Sequence, residues 1–89
     1  MNRELALKVG RSLGKIESYL WTVPFKGEAI YVSLGGLKTE LEEGFGSHND
    51  MIKIIDGMRK LLDKDEPDKS RVRKGYFKLV TKAQEKVEG

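Results

Sequence analysis

Arg71, Lys74, Lys78, Lys82 and Lys86 recur at three- and four-residue steps near the end of the chain. That spacing lines side chains along one face of a helix. The chemistry open to such a ridge is electrostatic. It could neutralise phosphates along a nucleic-acid backbone, which needs only correctly spaced cations, or meet an acidic protein surface. Against base reading, the ridge carries few Asn, Gln or Arg side chains and no recognisable nucleic-acid motif.

Covalent chemistry is poorly provided for. The chain has no cysteine, which excludes a thiolate nucleophile, a disulfide and thiolate metal ligands. Its single histidine, His48, stands in a loop with no triad partners in view and reads as a surface polar residue. Glu40, Glu42 and Glu43 could gather round a cation, but a solvated helix end is the simpler account. Gly44-Phe45-Gly46 lacks the lysine of a phosphate-binding loop. No HExxH and no calcium-loop pattern occurs. The expectation is a protein without enzymatic activity, cofactor or metal.

The basic ridge belongs to a helix over Lys69 to Val87. Val72, Tyr76, Leu79, Ala83 and Val87, with Val80 beside them, form its apolar stripe. Seven basic residues and one acidic lie between Lys69 and Lys86, whereas Lys26 to Asp68 holds six basic and ten acidic. The net charge of +3 therefore hides a basic end and an acidic middle.

Residues 3 to 22 predict a first helix, with Leu5, Val9, Leu13, Ile16 and Leu20 as its stripe and Pro24 as its stop. A second line on this helix, Leu7, Gly10, Gly14, Ser18 and Trp21, stands apart from the stripe. Each glycine costs a helix about 1 kcal/mol relative to alanine. The spacing predicts close approach of another backbone, either a helix of the same chain or a docking partner. Trp21, Phe25 and Tyr31, with Tyr19 nearby, gather around the turn from Thr22 to Glu28. They read as an aromatic plug at the end of a bundle or as an exposed binding anchor.

Ile30, Leu34, Leu37 and Leu41 predict a helix over 28–43, with a short strand near 29–33 as the alternative because Ala29-Ile30-Tyr31-Val32 is strand-like. Gly44 suits the end of that helix, and Ser47 or Asn49 the cap of the next. A third helix, roughly 50–63, has Met51, Ile54, Ile55, Met58, Leu61 and Leu62 on one face, with Ile52 off it. Pro67 suits the first position of the last helix.

These elements predict an all-α fold, a small four-helix bundle occupying residues 1–89 as one domain. A composition of 38% hydrophobic and 35% charged residues fits a soluble globular protein. The opening stretch lacks the apolar run of a signal peptide, and no segment is apolar enough to span a bilayer, so a cytoplasmic protein with no membrane role is expected. The favoured function is a helical binding protein that regulates, inhibits or adapts a larger protein partner. Its candidate face is Leu7, Gly10, Gly14, Trp21, Phe25 and Tyr31, and a homodimer is an alternative use of it. The competing function is nucleic-acid binding by Arg71, Lys74, Lys78, Lys82 and Lys86.

Overall fold

A computed structural model describes residues 3–88, with side chains to residue 86. The helical periodicity is realised as α1 (Arg3–Leu20), α2 (Gly27–Phe45), α3 (Asp50–Leu62) and α4 (Lys69–Glu88). The short-strand alternative near 29–33 is overturned, since that stretch lies inside α2. Ile30, Leu34, Leu37 and Leu41 explain why. All four are buried, and only a helix turns residues at those steps towards one core.

The helices form a four-helix bundle. Each packs on the next in sequence, and α4 returns beside α1 through the sparsest of the four contacts. Paired positions run in opposite directions. Ser12 bonds to Glu40 while Leu5 lies on Gly44; Arg59 covers Tyr31 while Asp56 pairs with Lys38; Arg73 reaches Leu20 while Tyr76 reaches Leu13. The pairs α1–α2, α2–α3 and α1–α4 are therefore antiparallel, as short links demand.

The core joins Val9, Ile16 and Leu20 to the α2 stripe, to Met51, Ile55 and Met58 of α3, and to Val72, Tyr76 and Leu79 of α4. Burying each large aliphatic side chain contributes about 1.5–3 kcal/mol. Ile52, expected off the α3 stripe, is buried as well. Val87, the last member of the expected α4 stripe, lies outside the described side chains.

Helix ends differ from expectation in instructive ways. The left-handed residue after α2 is Gly46, at φ 83°, not Gly44. Gly44 is a glycine for another reason: it sits inside α2 against Leu5, where a Cβ would collide. Asn49 caps α3, accepting from the Ile52 N–H at 3.3 Å. Pro67 lies before α4 rather than at its first position: the helix starts at Lys69, and Asp68 ahead of it accepts from the Arg71 N–H at 3.1 Å. No described helix is long and apolar enough to cross a membrane.

Candidate docking face between α1 and α4

The sparse α1–α4 contact leaves a groove on the outside of the bundle, with a cavity volume of about 350 Å³. Ala6, Gly10, Leu13 and Gly14 form its α1 wall, and Tyr76, Val80 and Ala83 its α4 wall. The expectation that Gly10 and Gly14 admit a neighbouring helix of the same chain is corrected here. A Cβ at either position would meet nothing within 4 Å. Close approach occurs instead at Gly75 of α4, where a Cβ would lie 2.7 Å from Met58 Cγ.

Tyr76 forms the groove floor. It is buried, and its hydroxyl lies 3.1 Å from the Leu13 carbonyl oxygen and 3.4 Å from Glu17 Oε2. Burial, reinforced by the negative charge and hydrogen bond of Glu17, pushes its phenol up to about 12. The hydroxyl thus stays protonated and ties the two helices together across their weakest seam.

At one end of the groove Arg73 performs two tasks. Its Nε and Nη2 donate to the Leu20 carbonyl oxygen at 3.3 and 3.0 Å, satisfying an acceptor at the end of α1. The same guanidinium lies 4.4 Å from the Trp21 ring centroid. One face of the indole is thereby covered, and Trp21 remains 54% exposed.

Phe77, one helical turn beyond Arg73, is also 54% exposed, and its ring meets Tyr76 edge-on at 5.8 Å. The sequence reading overlooked it. The signal was available: Phe77 belongs neither to the apolar stripe nor to the cationic ridge, so it is an aromatic side chain with no partner in either. Leu7, 52% exposed, stands on the α1 side of the same face. Helical register places Leu7, Gly10 and Gly14 together on α1, and Trp21 follows just beyond the helix end.

Phe25 and Tyr31 do not join them. Tyr31 packs on α3 beneath Arg59, at 4.1 Å, and Phe25 lies under Lys69, at 5.4 Å. Both line a separate hollow at the end of the bundle with Glu28, Leu62 and Pro67. The expected aromatic plug is therefore dispersed. Trp21, Phe25 and Tyr31 each face a cation, and no described ring pair joins them.

The cationic ridge lies along the outer side of α4, but its members differ. Arg71 pairs with Asp68 at 3.5 Å and Lys82 with Glu85 at 3.6 Å, while Lys86 stands over Phe45 at 6.0 Å. Lys74 and Lys78 have no such partner among the described residues. Glu40 accepts from Ser12, and no group of three or more acidic or histidine side chains is placed to hold a metal ion among the described residues. His48 is exposed.

No protein-family model, curated protein or solved structure matches this chain. Its functional reading therefore rests on its own geometry.

Proposed function

We propose that this chain is a non-enzymatic, cytoplasmic binding module that regulates, inhibits or adapts a larger protein partner, docked on the α1–α4 face. One observation carries the reading. Leu7, Trp21 and Phe77 are each half exposed, and they stand on or next to α1 and α4, the two helices that meet through the sparsest contact among the described residues. Grouped apolar exposure around a groove is a mark of interaction surfaces, whereas scattered exposed leucines are not. Tryptophan and arginine are also the residues that most often anchor such contacts.

Site-specific photo-crosslinking tests this. A photoreactive phenylalanine analogue at Phe77 should yield a discrete heavier adduct in cells, and the same group at Val32, exposed on α2, should not. An adduct from Val32 alone, or equal adducts from both, would exclude the α1–α4 face.

A second reading, nucleic-acid binding, is supported by the unpaired Lys74 and Lys78, one turn apart. It is the weaker proposal, because the other three ridge cations already have neighbours within the fold. Binding to single- and double-stranded nucleic acid between ~50 and ~200 mM salt discriminates. A steep salt slope that flattens in Lys74→Glu/Lys78→Glu would move this reading to first place.

A further inference from the structure

We infer that the α1–α4 face also packs against a second copy of this chain, with the two α1 helices antiparallel. The inference goes beyond the docking reading above and rests on it only for the choice of face. Arg3, Leu7, Gly10, Gly14 and Glu17 recur at alternating four- and three-residue steps, which holds them on one line of α1. All five are exposed, and nothing stands within 4 Å of where a Cβ would lie at either glycine. The line is symmetric in position about residue 12 and opposite in charge at its two ends. Turned over onto itself about a two-fold axis, it sets Gly10 against Gly14 of the second copy. Arg3 then comes within about one turn of the copy's Glu17, and Leu7 within about one turn of the open space over its Gly14.

Like charges on this line are kept apart. The two Arg3 side chains stand ~27 Å from each other along the axis at ~1.5 Å per residue. Arg11, the cation closest to the two-fold, is turned about 80° from the line at ~100° per residue. Lys74 and Lys78 lie on the far side of α4 from Tyr76 and Val80. The same axis serves α4. The Tyr76 hydroxyl donates to the Leu13 carbonyl and Arg73 to that of Leu20, so residue 12 is level with the α4 turn 77–81. Phe77, the exposed ring of that turn, is therefore brought towards its counterpart. The face is roughly 22 Å long and two helix diameters, about 20 Å, across. A patch on the order of 450 Å² per copy sits at the low end of specific interfaces, so the dimer is weak and forms as concentration rises. Self-pairing then covers Leu7 and Phe77 until a larger partner displaces the second copy.

Sedimentation velocity of the full chain from ~10 µM to ~1 mM at ~50 mM salt tests this. Wild type should pass from monomer to dimer across that range. Arg3→Glu and Glu17→Arg should each weaken self-association roughly tenfold or more, because each turns two symmetry-related attractions into repulsions. Mixed in equal amounts, the two variants should dimerise again, since each supplies the charge that the other lacks. A wild type that stays monomeric to ~1 mM overturns the inference. So does a dimer that neither variant weakens, or a mixture that stays monomeric. Gly14→Leu, which places bulk beside the axis, should also dissolve the dimer, and it replaces Glu17→Arg if that variant loses its helical spectrum. A Gly14→Leu dimer as tight as wild type overturns the inference too. In the photo-crosslinking experiment above, a Phe77 adduct of twice the chain mass reports the second copy and any other mass the larger partner, so the two readings fail separately.

Discussion

The α2–α3 seam and the α1–α4 seam use similar residues to opposite ends. In the first, Gly35 makes room for the Arg59 guanidinium, which approaches to 3.4 Å of where a Cβ would stand. Arg59 covers Tyr31, and Lys38 bonds Asp56 at 2.8 Å alongside. Glycine, arginine, aromatic ring and ion pair all close on one another. In the second, Gly10 and Gly14 make room that no described residue takes, and Arg73 covers only one face of Trp21. The difference teaches that a glycine line on a helix marks close approach only when something on the facing helix is long enough to fill it. Where nothing fills it, the line is a surface.

The largest effect that sharpens this contrast comes from the side of α4 turned into the core. Leu79 is fully buried, so Leu79→Ala should cost roughly 2–5 kcal/mol of stability in denaturant unfolding. A loss below 1 kcal/mol would mean α4 is as loosely held towards the core as it is towards α1.

Next comes Tyr76, the tie across the open seam. Its phenol is held at about 12 in the folded chain, against an ordinary value of 10. The raised value stabilises the neutral phenol, so the contribution is fully present below about pH 10. It is lost as pH rises through 12. Roughly 1 kcal/mol of stability, after solvent screening of the hydroxyl, should disappear across that window. In Tyr76→Phe that alkaline loss should vanish, together with one late step in the phenolate absorbance titration. An unchanged alkaline profile in Tyr76→Phe would place the tie elsewhere.

The fold was legible because its signals are redundant. The α2 stripe from Ile30 to Leu41 has helical period over three turns, and four buried side chains outweigh the strand preference of Ile30-Tyr31-Val32. The site was half legible. Leu7, Gly10, Gly14 and Glu17 share a face of α1 by arithmetic alone, whereas Phe77 and Arg73 join it only through the antiparallel placement of α4. That placement is a long-range fact, set by which seam closes most loosely, and no local spacing encodes it. Gly44 shows the same limit: a glycine near a helix end suggests a left-handed stop, yet Leu5, some forty positions away, is what requires it.

The smallest effect is the most direct test of the two kinds of glycine. Alanine gains about 1 kcal/mol over glycine in a helix interior wherever the added methyl meets no obstacle. At Gly14 nothing lies within 4 Å, so Gly14→Ala should raise the unfolding free energy by about 0.5–1 kcal/mol. At Gly75 the same methyl would stand 2.7 Å from Met58 Cγ, and Met58 is itself buried. Overpacking there costs about 1–3 kcal/mol, enough to cancel the helical gain and leave a net loss of about 1 kcal/mol. Opposite signs in paired denaturant melts would separate the glycine that α3 requires from the glycine that the fold does not. Equal gains at both positions would mean that Met58 yields freely, and that α3–α4 packing is as tolerant as the open face. Equal losses would reveal a contact at Gly14, and the α1–α4 groove would then be a closed seam like the one between α2 and α3.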